Sequence, residues 1–160
     1  MIKYCLQKWE ENKDRLEQSL RTRTDLNDCC YMDLVKLVVH DILNGGETEF
    51  SYNKVLWDTD KITEIDNGDY QGTLLYLIPS DTYQPSEYEY LMTYVDYGSC
   101  CGCDTLQHIQ YCFGAYDNHY LTDKQIPMFM ELCKDLITNM IKPYNHGWRK
   151  DEVFDPIEMD

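Results

Sequence analysis

Apolar residues recur at helical spacing in four segments of the chain, and polar residues fill the positions between them. Residues 3–20 and 29–43 each give the pattern of a helix, and the second is apolar over more than half of its circumference, so we expect it to be buried. A third helix is expected from about Asp104 to residue 112, with Asp104 either as its cap or in its first turn, and a fourth from about 122 to 141. The pattern therefore predicts two helices before the middle of the chain and two after it.

Strand patterns lie between the second and third predicted helices. The clearest are residues 70–78 and 88–97, while 61–66 and 50–57 give shorter or weaker signals. The Asn67-Gly68 pair separates two of these segments and predicts an antiparallel hairpin with a type I′ turn. We therefore expect an α+β fold, in which a small, mostly antiparallel sheet packs with four helices.

The two faces of segment 88–97 both carry apolar or aromatic side chains. One face carries tyrosines and a methionine, and the other carries Leu91, Thr93 and Val95. One face should pack on helices, and the other is either core as well or a tyrosine-rich contact surface.

The overall composition indicates a folded protein. The chain has 160 residues, 43% of them hydrophobic and 13% aromatic, which excludes wholesale disorder. We expect one α+β domain over residues 1–143 and an acidic C-terminal extension over 144–160. The N-terminus lacks the apolar core of a secretory signal, and the longest strongly apolar run, 74–78, is too short to cross a bilayer. The sequence therefore predicts a cytoplasmic protein.

The net charge of the chain limits the classes of molecule that it could bind. With 14 Lys and Arg against 29 Asp and Glu, the net charge is −15, which disfavours direct binding to nucleic acid or to an anionic membrane. Residues 58–104 carry ten acids against one base, Lys61, and tyrosines are interleaved with them. Acids with tyrosines suit a contact with a basic protein, although a merely solvated acidic surface fits the same composition. The candidate partner-binding residues are Asp66, Asp69, Asp81, Glu87, Tyr88, Glu89, Tyr90 and Asp96.

Eight cysteines give the remaining candidate chemistry. Cys5 and Cys133 fall within helical apolar patterns, and we expect both in the core. Cys100 and Cys103 form a C-x-x-C between a strand and a helix, where three interpretations stay open: small residues in a tight turn, two zinc ligands, or a redox pair. Zinc would need a second ligand pair that the sequence does not offer at a recognised spacing. No cofactor is therefore expected, zinc remains possible, and no catalytic residues are predicted.

Two motifs carry a resemblance to a known group of proteins. Residues 66–75 contain Gly68-Asp69-Tyr70-Gln71-Gly72-Thr73-Leu74-Leu75, and residues 97–106 read Tyr-Gly-Ser-Cys-Cys-Gly-Cys-Asp-Thr-Leu. Over roughly residues 30–140 the chain resembles a family of small, uncharacterised phage and prophage proteins with "GDYQGTLL" and "YGSCSGCDTL" motifs, with Cys101 in place of the family's serine. The resemblance implies a setting inside an infected bacterial cell and no specific reaction.

Together these features predict a non-enzymatic binding protein of phage origin. It would inhibit or modulate a host defence or nucleic-acid-handling protein through an acidic, tyrosine-rich surface that could imitate nucleic acid. The alternative is a zinc- or thiol-dependent protein centred on Cys100 and Cys103.

Overall fold

The computed structural model describes residues 1–49, 51–116 and 118–142. Four α-helices and three strands are present in these ranges, and a π-helical turn, Val39–Leu43, continues the second helix. The elements in chain order are α1 (Ile2–Thr22), α2 (Tyr31–Val38), β1 (Thr63–Asp66), β2 (Gly72–Pro79), β3 (Tyr90–Tyr97), α3 (Thr105–Phe113) and α4 (Gln125–Thr138). The predicted α+β class is confirmed, while the acidic extension predicted over 144–160 lies outside the described residues.

The sheet is antiparallel throughout, with strand order β1-β2-β3. The strand predicted over 50–57 is wrong, because in its described part only Trp57 pairs, in a single bridge to Ser80. A turn explains this difference, because the Lys54 N–H bonds to the Ser51 carbonyl at 3.3 Å within the segment. The Asn44 side chain binds the backbone at the end of the segment. It accepts a hydrogen bond from the Trp57 N–H at 2.8 Å and donates one to the Trp57 carbonyl at 2.9 Å. A side chain thus satisfies the backbone groups that a neighbouring strand would otherwise have bonded.

The hairpin between β1 and β2 is confirmed, but its predicted type I′ turn is wrong. Five residues, 67–71, connect the strands, and among the described residues only Gly45 and Gly46 have positive φ. Side chains close the loop instead. Asn67 Oδ1 accepts from the Thr73 N–H at 2.7 Å, and Asp66 Oδ1 accepts from the Gly68 N–H at 2.9 Å. These two acceptors stabilise a wider connection than a two-residue turn.

The helices cover one face of the sheet. Alternate residues of β2 and β3, namely Leu74, Tyr76, Ile78, Leu91 and Thr93, point into the core and are buried. Thr93 Oγ1 donates to the Leu136 carbonyl at 2.6 Å, which fixes β3 against α4. Burying this face and the apolar faces of the helices supplies the main favourable free energy of folding. Cys5 and Cys133 lie in this core, as predicted.

A π-helical turn ends the buried second helix. The Asn44 N–H bonds to the Val39 carbonyl at 2.9 Å, five residues back, and the chain then turns through Gly45 and Gly46. Within the turn His40 Nδ1 lies 2.7 Å from Asp41 Oδ1. His40 therefore has a polar partner within the turn itself.

Candidate interaction surface and thiol pair

The face of the sheet turned away from the helices carries a cluster of apolar side chains. We name these residues the outer face: Ile65, Leu75, Leu77, Met92, Tyr94 and Ile141. Ile65 and Tyr94 are 44% and 38% exposed, and Leu75, Leu77 and Met92 are half-buried. Ile65, Leu75 and Tyr94 form one cross-strand row, and Leu77 and Met92 lie in the next. Of the two possibilities left by the sequence, the structure excludes the core, because this tyrosine-bearing face is partly exposed.

The segment after α4 extends this surface. Met92 and Ile141 exchange two backbone hydrogen bonds of 2.8 Å, so their side chains lie on the same side of the sheet. Asn139 Nδ2 also donates to the Tyr94 carbonyl at 3.2 Å. The fourth helix therefore ends at Thr138 rather than near the predicted residue 141, because the following residues pair with β3.

The predicted partner-binding residues fall into two groups at opposite ends of the sheet. Asp66, Asp69 and Asp96 lie where β1 ends, β2 begins and β3 ends, whereas the remaining five lie in or beside the loop from β2 to β3. The length of an eight-residue strand, about 25 Å, separates the ends. The second group is Asp81, Glu87, Tyr88, Glu89 and Tyr90. The eight residues therefore form two separate patches, one at each end of the outer face.

Two of the predicted acids, Asp66 and Glu89, accept hydrogen bonds from the backbone of their own loops. Asp66 Oδ1 accepts from the Gly68 N–H and, at 2.7 Å, from the Tyr97 hydroxyl, and these bonds lower the pKa of Asp66. The same hydroxyl bond raises the pKa of Tyr97 to about 12. Glu89 Oε2 accepts from the Ser86 N–H at 2.8 Å. Substitution of Asp66 or Glu89 would therefore perturb the loops as well as any interface.

Asp69, Asp81 and Glu87 are the better probes of binding because their side chains are exposed on loops. Tyr88 is 40% exposed, while Tyr90 is half-buried on the outer side of β3. Asp96 is exposed and accepts from Thr73 Oγ1 at 2.7 Å across the two strands.

Positive charge is concentrated on the helical side of the molecule. On α1 and just after it, Lys13, Arg21 and Arg23 form ion pairs with nearby carboxylates. By contrast, residues 62–123 contain neither Lys nor Arg, and this stretch includes all three strands and α3. The three strands and α3 therefore carry acids and no Lys or Arg of their own, while Lys61 lies just before β1 and Lys142 just after Ile141. This excess of negative charge favours the approach of a basic surface.

The turn between β3 and α3 places two thiols in contact. Cys100 Sγ and Cys103 Sγ lie 2.7 Å apart, and both residues are exposed. The Cys100 N–H also points at Cys103 Sγ, with a nitrogen–sulfur distance of 3.2 Å. The hydrogen bond between the thiols lowers the pKa of Cys103 and raises that of Cys100. Cys103 is therefore favoured as the nucleophile, and Cys100 lies close enough to attack a mixed disulfide formed on Cys103.

A buried carboxylate fixes this turn. Asp104 is the N-cap of α3, and its Oδ1 accepts from the Gln107 N–H at 2.9 Å, as predicted for a capping residue. The same oxygen lies 3.2 Å from the Tyr31 hydroxyl, and Oδ2 accepts from the Gly98 N–H at 3.0 Å. One side chain therefore joins the end of β3, the start of α3 and the second helix. The sequence shows the capping role but not these distant partners.

Gly98 is required by the close packing of the same turn. A Cβ at this position would lie 2.5 Å from the Cys103 carbonyl oxygen and 2.6 Å from Cys103 Sγ. We expect Gly98→Ala to lower the free energy of unfolding by about 2 kcal/mol, measured by urea denaturation, because the turn must shift. Gly102→Ala is the matched control, since its Cβ would meet nothing closer than Cys100 Sγ at 3.8 Å. Equal effects of the two substitutions would contradict this account.

The described residues do not assemble a metal centre around the C-x-x-C. They contain no group of three or more His, Cys, Asp or Glu side chains that could hold a metal ion. Cys112 lies beside Cys101 rather than completing a set with Cys100 and Cys103. Among the described residues, the turn therefore offers Cys100 and Cys103 alone as neighbouring candidate ligands.

Comparison of the chain with protein-family models, with curated proteins and with solved structures finds no match. In the described ranges, no helix has both the length and the apolar character needed to cross a membrane.

The outer face as a whole was not predicted from the sequence, which singled out only a tyrosine-bearing face of 88–97. Its β2 members, Leu75 and Leu77, lie in a continuous apolar run, so residue type does not separate them from the buried residues of that strand. Ile141 could not have been found either, because the sequence places it at the end of a helix.

Proposed function

We propose that this protein is a non-enzymatic binding protein of phage origin that acts in the cytoplasm of a bacterial host. It inhibits or modulates a basic host protein, of the defence or nucleic-acid-handling kind, by covering that protein's basic surface. The observation that carries the proposal is the outer face, an exposed apolar and aromatic cluster flanked by two acidic patches on strands and loops that contain no Lys or Arg between residues 62 and 123.

The two parts of this surface have different physical roles. Apolar and aromatic side chains such as Tyr94 and Met92 provide contact area that loses water on binding, which supplies most of the affinity of an interface. The flanking acids steer the partner and select a basic one, because their field attracts Lys and Arg before contact. The two patches together present negative charge along the length of the sheet.

A nucleic-acid-binding host protein fits this geometry. A groove that holds a nucleic acid is elongated and lined by Lys and Arg, so it could meet both acidic patches, about 25 Å apart, at once. An acidic protein seated there would exclude the nucleic acid. Binding should therefore weaken with salt and compete with nucleic acid for the same partner.

The test is a triple charge reversal, Asp69→Lys with Asp81→Lys and Glu87→Lys. Tagged wild-type protein captures basic proteins from host lysate at low salt, and the captured protein is then purified. Its Kd is measured for both chains by calorimetry, with double-stranded DNA as the competitor. We expect the triple variant to bind about 100-fold more weakly, corresponding to roughly 1 kcal/mol for each reversal.

The matched control places the same kind of charge change on the helical side, as Asp14→Lys with Asp28→Lys. Both residues are exposed, and we expect a much smaller loss per reversal. Tyr94→Ala tests the apolar part separately and should weaken binding by about tenfold with little change in salt dependence. Equal losses per reversal on the two sides would attribute the effect to net charge, and unchanged affinity in the triple variant would reject the proposal.

A further inference from the structure

The thiol pair next to Asp104 carries an inference beyond partner binding. Cys100 and Cys103 are held by a short turn, in which the Cys103 N–H bonds to the Cys100 carbonyl at 3.0 Å. Their sulfur atoms are 2.7 Å apart, and a disulfide requires an approach to about 2.05 Å. A small change of side-chain torsions therefore suffices for bond formation, without movement of β3 or α3.

Backbone N–H groups lie near both sulfurs, and the contact between the two thiols lowers the pKa of Cys103 and raises that of Cys100. The Cys100 N–H points at Cys103 Sγ, and a donor at this position stabilises a thiolate on Cys103. Cys100 has its backbone committed to the turn and its thiol exposed beside that sulfur. The network of Asp104 and the close packing at Gly98 keep the pair in this position.

We propose that Cys100 and Cys103 form a reversible dithiol–disulfide couple that exchanges electrons with low-molecular-weight disulfides. The Cys103 thiolate attacks one sulfur of the small disulfide and releases one small thiolate, leaving a mixed disulfide on Cys103. Cys100 then loses its proton and attacks Cys103 Sγ, which releases the second small thiolate. The protein loses two protons and two electrons, and the small disulfide is reduced to two thiols.

The first experiment identifies the bond. The full-length reduced protein is incubated with oxidised glutathione, free thiols are blocked, and the disulfides are mapped by mass spectrometry of peptides under non-reducing conditions. We expect a bond between Cys100 and Cys103 that a dithiol reductant reverses. A bond between Cys101 and Cys112 instead, or glutathione distributed over all exposed cysteines, would overturn the proposal.

Single variants then test the order of attack. Cys100→Ser should accumulate glutathione on Cys103, because no resolving thiol remains, whereas Cys103→Ser should react at least about tenfold more slowly at Cys100. Cys30→Ser is the control, since Cys30 is an exposed cysteine on another part of the fold. Circular dichroism verifies that each variant is folded. Equal rates for the two variants of the pair would contradict the assigned roles.

The pH profile of alkylation gives an independent readout. The pKa of Cys103 is lowered by its hydrogen bond with Cys100, while burial raises the pKa of Cys30. Because only the thiolate reacts, Cys103 in the wild-type chain should be alkylated at a lower pH than Cys30. Coincident profiles would count against an activated thiol at Cys103. The result is independent of partner binding, so it separates this proposal from the proposed function.

Discussion

Asp104→Ala is expected to lower the free energy of unfolding by about 3 kcal/mol, since it removes a helix cap and leaves buried donors unpaired. Asp104 is 4% exposed, and its two oxygens accept bonds from Gln107, Gly98 and Tyr31. Alanine can accept none of them. The measurement is urea denaturation followed by circular dichroism, with the midpoint and the slope of the transition determined together.

Asp60→Ala is the matched control, because Asp60 is an exposed aspartate in a turn. Its substitution should change stability by no more than about 0.5 kcal/mol. Asp104→Asn tests the bonds individually, since its amide oxygen can replace one acceptor but not both. An intermediate loss is expected for Asp104→Asn. A loss for Asp104→Ala that equals the control would show that the network contributes little to folding.

Asp104 also links the stability of the fold to the geometry of the thiol pair. Asp104 holds the Gly98 backbone, and Gly98 packs against Cys103 Sγ. If the turn loosens in Asp104→Ala, the two sulfurs spend less time in contact, so the internal disulfide should form more slowly in the folded fraction. The acidic patch at Asp81 and Glu87 lies at the other end of the sheet and should be unaffected.

The helices were predictable because each buries a continuous apolar face that recurs in the sequence. The α1 helix and α3 agree with their predicted ranges to within two residues, and Asp104 caps α3 as expected. The end of α4 was not predictable from its own residues. Ile141 continues the helical pattern, yet its backbone pairs with Met92 in the sheet. Tertiary pairing therefore overrides local periodicity at this point.

Strand formation likewise depends partly on local sequence patterns and partly on contacts between residues distant in the sequence. Runs of apolar and aromatic residues in 70–78 and 88–97 predicted β2 and β3. Segment 50–57 has a similar composition, but residues 51–54 form a turn and the Asn44 side chain binds the backbone of Trp57. Nothing near Trp57 in sequence identifies a partner 13 residues away.

The residue types of the candidate site could be predicted from the sequence, but their arrangement in space could not. Charge counting identified the acidic middle of the chain, but only the strand order shows that its acids divide into two patches. Likewise, the C-x-x-C spacing placed Cys100 and Cys103 in one turn, whereas their contact depends on the packing around Gly98. The outer face between the patches follows from burial of the opposite side of the sheet, which no single strand specifies.

Gln125→Ala is expected to have an effect of similar size on stability, about 3 kcal/mol, because Gln125 is a fully buried polar side chain with all of its groups bonded. Its Nε2 donates to Asn27 Oδ1 at 2.8 Å and to the Ile109 carbonyl at 3.0 Å. Its Oε1 accepts from the Thr122 N–H at 2.9 Å. In Gln125→Ala, Asn27, Ile109 and Thr122 would each lose a hydrogen-bond partner, and a cavity would form beside α3.

The measurement is again urea denaturation, and the matched control is Gln18→Ala, at an exposed position of α1. Gln18→Ala should be nearly neutral, since alanine is a good helix former and no buried group loses a partner. Gln125→Glu gives a second test, because it keeps the shape and the Thr122 bond but removes both amide donors and adds a buried charge. It should destabilise the fold at neutral pH and recover part of the loss as the carboxyl is protonated at lower pH. A neutral Gln125→Ala would mean that water or a local rearrangement replaces these bonds, and the loop at Asn27 would then not depend on α4 for its position.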